Sequence, residues 1–354
     1  MKVSREKLLS TLDLVSPGVA AREVFDQCDC FAFTKEGNVV TFNDEVACIQ
    51  KSPIKIKGAV HASTLRTILQ KLEEETVDIE VDKQNLSIVG KRKTMTIRME
   101  RKILLPLKHL DVPSKWHSLP ENFGDAVAFV KGCAGKDESK PASTCVHITS
   151  LFLEAFDNEQ YACFKTKIKS MQQDVLVRAT ALSHVTDLAV SQYSITKAWV
   201  HFRNPSGLIF SCRRINKKFP DCKNLRRIKG TRIKLPDKLA KATQRAEVFS
   251  ANGPDDNQVL IELAKGKVIV SGSGAHGTYR ETRNVPYKGE PLQFMIAPTM
   301  LANLLKQQQY DCEVMPTALK VEGTASIFLT SLHTPAEVAR KRQEKEAAKN
   351  DKDE

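Results

Sequence analysis

The sequence contains no apolar run that approaches the roughly 18 residues needed to cross a membrane. Its nine cysteines form no C-x-x-C pair and no cysteine–histidine cluster with the spacing of zinc ligands. We therefore expect no metal, no cofactor, and free thiols buried in a reducing compartment. The charged opening MKVSREKLLS leads directly into a helical pattern, so we expect no signal peptide and a cytoplasmic protein.

Motifs of the common enzyme classes are also missing. There is no G-x-S-x-G, P-loop or H-E-x-x-H motif, and the eight histidines are dispersed. Gly272, Gly274 and Gly277 do satisfy G-x-G-x-x-G after a predicted strand. The following run, TYRETRNVPY, has no apolar helical stripe, so a phosphate would lack a helix N-terminus. We predict a hairpin turn there and a protein that is not an enzyme.

The charge of the chain is strongly positive, with a formal net charge of +12. After Pro335 six Lys/Arg balance six Asp/Glu, so the excess belongs to the residues before this tail. A polyanionic partner is favoured, with nucleic acid ahead of a membrane because no basic amphipathic anchor is evident. The tail has no apolar stripe and is predicted to be a solvated helix or disordered.

Three rounds of one pattern organise the chain: a helix, several strands, a second helix and more strands. First helices are predicted to start near 4, 119 and 235, and second helices near 61, 179 and 297, so the period is close to 116 residues. The alternating runs between them predict strands at 30–33, 38–42, 46–49, 54–57, 77–81, 86–89, 95–99, 145–148, 151–155, 161–167, 198–202, 208–212, 259–263, 267–271, 312–315, 319–321 and 326–329. A unit of this length is a domain and not a solenoid repeat.

The fold class is therefore α+β, with three repeated domains of two helices and antiparallel sheets. We place the domains at 1–115, 116–230 and 231–335, followed by a charged tail at 336–354. The stretch NKKFPDCKNLRR is predicted to be an extended segment, a turn and a basic linker between the second and third domains.

Several segments carry a resemblance to a known family. VHASTLR at 60–66 resembles the entry to the second helix of the bacterial sliding clamp, the beta subunit of DNA polymerase III. Phe219, Pro220 and Asp221 match that family's motif between domains two and three, although Lys217 and Lys218 replace its glycine and arginine. The opening MKVSREKLL and the run FMIAPTML at 294–301 are also similar to the family. The resemblance covers residues 1–333 and implies a clamp fold.

This chain departs from the family in one loop and at its end. The family's alanine-threonine-aspartate-glycine-histidine-arginine loop is AFDNEQ here, in which Ala155 and Asp157 alone are kept. The chain also continues into the charged tail. These departures suggest a changed peptide preference and fit a divergent, phage-encoded member acting in a host cytoplasm.

The resemblance implies a homodimeric ring that encloses duplex DNA with its helices and tethers a replicative polymerase and a clamp loader. Sequence-independent contacts from Lys and Arg to phosphates are compatible with sliding. The implied DNA-binding residues are Arg5, Lys7, Arg22, Arg66, Lys71, Lys131, Arg178, Lys238, Lys241, Arg245 and Lys306.

Partner peptides are implied to bind in an apolar cleft between domains two and three. The matching positions are Phe156, Asn158, Gln160, Tyr161, Pro220, Asn224, Leu225, Met300, Phe328, Leu329, Ser331 and Leu332. Because successive strand residues face opposite ways, we expect Phe328 or Leu329 to be a core residue.

Ring closure is implied to join the strand at 94–99 of one chain to the third domain of another. The candidate interface residues are Met95, Ile97, Met99, Val248 and Phe249. Two alternatives stay open. One is a clamp-like decoy that engages replication partners without encircling DNA, and the other is a nucleic-acid-binding protein that uses the basic run 217–234 without forming a ring.

Overall fold

The computed structural model describes residues 1–82, 84–236, 239–250, 258–274, 277–288, 291–296, 298, 301, 311–315, 317–332 and 340. The chain divides into two compact units. The first consists of Met1–Leu153 and Thr166–Phe219, and the second of Glu154–Lys165 with the described residues from Pro220 onward. The three-domain boundaries at 115, 230 and 335 stay a prediction.

The first repeat runs from Lys2 to Glu100. Its elements are β1 (Lys2–Ser4), α1 (Arg5–Val15), β2 (Cys30–Phe33), β3 (Asn38–Phe42), β4 (Val46–Lys51), β5 (Gly58–His61), α2 (Ala62–Lys71), β6 (Thr76–Val81), β7 (Asn85–Val89) and β8 (Thr94–Glu100). Ser4 caps α1, because its hydroxyl accepts a 3.3 Å hydrogen bond from the Lys7 backbone N–H. Leu8, Leu12 and Val15 are fully buried along one face of that helix, as the period of the sequence predicted.

The second repeat has the same order of elements. They are β9 (His117–Ser118), α3 (Phe123–Val130), β10 (Cys145–Ile148), β11 (Phe152–Phe156), β12 (Gln160–Lys165), β13 (Val175–Arg178), α4 (Ala179–Leu182), β14 (Gln192–Ile195), β15 (Trp199–Arg203) and β16 (Ile209–Arg213). The second helix starts at the predicted position but is short compared with the predicted span 179–190, since α4 passes into a 3-10 turn at Ser183–Thr186 and ends before Ala189, which has a φ of +47°. That left-handed conformation terminates the helical path.

The third repeat follows a short helix, α5 (Lys223–Arg227). Its elements are β17 (Thr231–Lys234), α6 (Leu239–Ser250), β18 (Val259–Ala264), β19 (Lys267–Gly274), β20 (Gly277–Asn284), β21 (Leu292–Ile296), β22 (Asp311–Val314), β23 (Ala318–Glu322) and β24 (Ser326–Ser331). The predicted helix after Pro298 and the tail at 336–354 lie almost wholly outside the described residues.

Three local predictions were wrong. Residues 54–57 are a loop and not a strand, because the Ser52 hydroxyl hydrogen-bonds both the N–H and the carbonyl of Ile54 around Pro53. Helix α3 begins about one turn later than predicted, since Phe123 first closes a turn onto the carbonyl of Pro120. The linker after Asp221 contains α5, whose first N–H bonds the Asp221 carboxylate.

Antiparallel pairing organises both units. In the first, the strand order is β1-β6-β7-β8-β5-β2-β3-β4-β16-β15-β14-β9 in one sheet. In the second, β12, β24, β23, β22 and β17 are neighbours in that order, and a separate sheet has the order β20-β19-β18-β21. In the repeats, the strand before the first helix shares a sheet with the last three strands: β1 with β6–β8, β9 with β14–β16 and β17 with β22–β24.

All nine cysteines are free thiols, and eight of them are buried. Their side chains pack as small apolar groups, as the sequence predicted. Burial raises the pKa of the Cys48 and Cys312 thiols to about 12, so these groups stay protonated and unreactive at neutral pH.

Candidate nucleic-acid interface and partner-binding segment

The predicted DNA-binding arginines are mostly engaged within the protein. The Arg5 guanidinium donates to the carbonyls of Glu74 (2.9 Å) and Leu69 (3.2 Å), where it holds the C-terminal end of α2. Arg66 is ion-paired with Asp13 of α1 at 2.6 Å. These bonds join α1 to α2, so Arg5 has a structural role that the sequence did not indicate.

Two further arginines belong to charged clusters. Arg178 is half-buried and pairs with Glu45 at 2.9 Å and Glu138 at 2.5 Å, which offsets its charge. Arg245 on α6 donates to the Tyr279 hydroxyl at 2.8 Å and pairs with Glu281 at 2.6 Å. Hydrogen bonds from Tyr279 and Arg245 hold the pKa of Glu281 at about 2, so this pair is charged throughout the neutral range.

The lysines remain the accessible cations of the predicted set. Lys7, Lys71 and Lys241 are exposed on α1, α2 and α6, and Arg22 is exposed in the loop after α1. Lys131 is half-buried at the end of α3, while Lys238 and Lys306 lie outside the described residues. Within the described ranges, the predicted residues that are exposed and have no ion pair are therefore Lys7, Lys71, Lys241 and Arg22, and their contact with phosphates stays a prediction.

A buried ion pair anchors the segment predicted to bind partners. Glu154 on β11 is 3% exposed and accepts hydrogen bonds from Arg226 of α5 (2.8 Å) and from the Tyr161 hydroxyl of β12 (2.6 Å). Arg226 also donates to the Tyr161 oxygen at 3.2 Å. The network holds α5 against the β11–β12 hairpin, and nothing in the sequence signalled the pairing of residues 72 positions apart.

The predicted cleft residues divide by exposure. Asn158, Pro220, Asn224 and Leu225 are exposed, and Phe156, Gln160 and Ser331 are half-buried. Tyr161, Phe328, Leu329 and Leu332 are buried, so they support this surface from behind and do not form it. Phe328 and Leu329 are both core residues because β24 is paired on both sides, with β12 and β23, and both of its faces are covered. Met300 lies outside the described residues.

Two junctions between repeats use the same strand pairing. The fourth strand of repeat one, β4, pairs with the last strand of repeat two, β16. In the second unit, β12 of repeat two pairs in the same manner with β24 of repeat three. Charged groups flank the first junction, where Arg213 pairs with Asp44 and Arg178 with Glu45.

The corresponding edges of the first and third repeats are β8 and β20. Residues 94–98 of β8 pair with β7 on one side, while Met99 and Glu100 pair with β5. Strand β20 ends its sheet, with β19 as its neighbour. Of the predicted interface residues, Ile97 and Met99 are buried, Met95 is half-buried, and Val248 is 69% exposed. The ring of Phe249 stacks on that of Tyr279 in β20, with 6.0 Å between the ring centroids. Tyr279 was not among the interface residues predicted from the sequence.

The glycine motif forms the predicted hairpin. Gly274 pairs with Gly277 at the turn between β19 and β20, and no helix follows it. Gly272 has a separate requirement, since a Cβ there would lie 2.0 Å from the Ala246 carbonyl oxygen of α6. None of the helices in the described ranges is long and apolar enough to span a membrane.

Known structures share this arrangement of strands and helices. The crystal structure of the DNA polymerase III beta subunit of Pseudomonas aeruginosa matches with a TM-score of 0.79 and 17% identity, over 94% of this chain and 99% of that one. The beta chain of Streptococcus pneumoniae matches with a TM-score of 0.82 at 16% identity, over 94% and 99%. This chain has the sliding-clamp fold. The clamp of Thermotoga maritima is similar too, with a TM-score of 0.81 and 16% identity over 94% and 98%.

The clamp fold is shared with little sequence similarity. No family model matches the chain, and no curated protein matches its sequence. One Pseudomonas aeruginosa sliding clamp of the same fold has been crystallised with griselimycin bound.

Proposed function

We propose that this protein is a DNA polymerase sliding clamp, a processivity factor that encircles duplex DNA as a dimeric ring. Its surface lysines attract the phosphates without reading sequence. Its exposed segment around Pro220, Asn224 and Leu225 binds peptide motifs of a polymerase and a clamp loader. The fold, the net charge of +12 and the exposed lysines of α1, α2 and α6 support this function.

The observation that carries the proposal is the repeated junction. Since β4 pairs with β16 and β12 pairs with β24, a third junction of the same kind would pair β20 with β8. These two edges belong to the last and first repeats, so the pairing needs a second copy of the chain. Two chains joined head to tail in this way close a ring of six repeats.

The internal junctions also predict the register of the third. Each of the strands β4, β12 and β20 begins at the residue that closes the preceding turn, namely Val46, Gln160 and Gly277 respectively. Ile49 lies three residues after Val46 and pairs with Ile209. Cys163 lies three residues after Gln160 and pairs with Ile327. The residue three after Gly277 is Arg280.

The partner strands align by their own turns. Ile209 and Ile327 directly follow turns that end at Leu208 and Ser326. The equivalent turn, which precedes β8, ends at Lys93. Thr94 is therefore the equivalent of Ile209 and Ile327. The third junction then places Thr94 opposite Arg280 and Thr96 opposite Thr278 of the second chain.

Cysteine cross-linking tests this register. Thr96 and Thr278 are exposed, and directly opposed strand residues lie within disulfide range. A Thr96→Cys/Thr278→Cys chain should form a reducible covalent dimer under mild oxidation, because the wild-type thiols are largely buried. Thr96→Cys with Thr282→Cys, four residues out of register, is the matched control and should remain uncross-linked. Light scattering of the wild-type protein should give a mass of twice 39.5 kDa. The mass of a single chain would contradict the ring.

The same cross-linked dimer separates a clamp from the alternatives. Oxidised in the presence of nicked circular DNA, it should stay bound in high salt and be released when the circle is linearised. A decoy would bind a polymerase peptide but remain off the circle. A nucleic-acid-binding protein without a ring would dissociate from circular and linear DNA alike as salt increases.

A further inference from the structure

A cleft of about 540 Å³ lies in the first unit, lined by residues of β10, of β13 and of the segment 214–219. Its floor is apolar and is formed by Val175 and Leu176 of β13 together with Ile215. Phe219 forms part of one wall, where His147 stacks on it at 4.7 Å between ring centroids. A volume of this size accommodates one or two side chains of a bound segment.

The rim of the cleft is cationic. Four of its lining residues are basic, namely Lys197, Arg214, Lys217 and Lys218, and Asp174 is its one carboxylate. Asp174 lies 3.6 Å from the Nε2 atom of His147. The three lysines are exposed and have no ion pair with any part of the chain that the structure describes. The cleft therefore presents uncompensated positive charge around an apolar floor.

Arg214 gives the clearest indication of an anionic ligand. Its guanidinium is half-buried and donates to the Thr196 carbonyl at 2.7 Å and to the Gln173 side-chain oxygen at 3.3 Å. Both acceptors are neutral, and burial lowers the pKa of Arg214. A cation that is partly buried and has only neutral acceptors is stabilised strongly by an added carboxylate, because the two form a charge-assisted hydrogen bond.

The surroundings favour a peptide over a nucleic acid. Single-stranded nucleic acids bind grooves in which aromatic faces are open to stacking bases. Phe219 is only 8% exposed and its ring is already covered by His147, so it offers no such platform. An apolar side chain fits the floor, and flanking carboxylates reach the lysines.

We propose that this cleft, defined by Arg214, Lys217, Lys218 and the floor of Val175, Leu176 and Ile215, binds an acidic peptide segment of a partner protein. An apolar side chain of the segment enters the cleft, and its Asp or Glu residues pair with the rim. The residues that line this site belong to the first unit, whereas Pro220, Asn224 and Leu225 belong to the second, and the proposal does not depend on ring formation.

Fluorescence anisotropy with full-length protein tests the site. The probe is a short fluorescein-labelled peptide in which Asp and Glu flank a central Leu. Lys217→Glu/Lys218→Glu should weaken binding by about tenfold or more, and Ile215→Ala should weaken it at constant charge. Lys167→Glu/Lys169→Glu changes the same charge on exposed lysines outside the cleft and should leave binding within about twofold.

Three results would overturn the proposal. The first is equal binding of a peptide with Lys and Arg in place of Asp and Glu. The second is equal loss of binding in the Lys217/Lys218 and Lys167/Lys169 variants, which would reflect net charge alone. The third is a Lys217→Glu/Lys218→Glu protein that still binds the acidic peptide but no longer binds single-stranded DNA, which would make the cleft a nucleic-acid-binding surface.

Discussion

At the scale of single residues, the Glu154–Arg226 pair joins α5, which lies in the segment proposed to bind partners, to β11. Glu154→Gln would leave a half-buried arginine without its carboxylate, and breaking a buried pair costs about 3–5 kcal/mol. We expect the backbone amide hydrogens of residues 222–228 to exchange faster. The increase in rate corresponds to the full loss of about 3–5 kcal/mol only if α5 opens independently of the rest of its unit. Trp116 and Trp199 both belong to the first unit, so fluorescence would not report this change.

Asp221→Asn is the matched control for that change, since it removes an exposed negative charge 3.9 Å from the Lys223 ammonium while its amide oxygen can still accept the Lys223 N–H. An exposed pair contributes about 0–1 kcal/mol, and exchange should hardly change. A Glu154→Gln/Arg226→Gln protein should recover part of the protection because the unpaired charge is gone. Unchanged exchange in Glu154→Gln alone would show that the pair does not hold α5.

At the scale of elements, the contact between α6 and β19 depends on Gly272. Alanine there would put a Cβ 2.0 Å from a backbone oxygen of α6, and a helix backbone cannot yield as a flexible side chain can. Gly272→Ala should destabilise the second unit by roughly 1–3 kcal/mol, seen in calorimetry as a lower transition temperature.

Gly124→Ala in α3 provides the opposite case. A Cβ at Gly124 meets nothing within 4 Å, and alanine favours helix. That substitution should stabilise the first unit by about 0.4–1 kcal/mol. A Gly272→Ala protein that melts like the wild type would mean that α6 can shift away from β19 without loss of packing.

At the scale of the whole molecule, the charge distribution predicts how DNA binding responds to salt. Lys241→Ala removes an exposed cation of α6 and should reduce the slope of log K against log salt by about one. Arg178→Ala should change that slope less, because Glu45 and Glu138 already offset its charge. Anisotropy of a labelled duplex over a salt series measures both slopes. Lys35→Ala, an exposed lysine in the β2–β3 turn, is the control and should leave the slope unchanged.

Local periodicity was enough to predict most elements from the sequence. The stripes of Leu8, Leu12 and Val15 and of Leu65 and Leu69 are interactions between near neighbours, so α1 and α2 were predicted almost to the residue. The short strands β1, β5, β9, β13, β14 and β17 were missed, because two to four residues seldom show alternation, and the five-residue strand β21 was missed as well. Their conformation depends on the neighbouring strands with which they pair.

The sequence by itself determined the repeat, the α+β class, the excess of positive charge and the hairpin at Gly274. These properties follow from composition and from spacing along the chain. The tertiary structure decided which cations remain accessible, since Arg5, Arg178 and Arg245 meet partners 34 to 133 residues away in sequence. It also decided that Tyr161, Phe328 and Leu329 are buried, and it brought His147, Lys197 and Lys217 around one cleft. Such pairings depend on long-range packing, which a one-dimensional pattern does not encode.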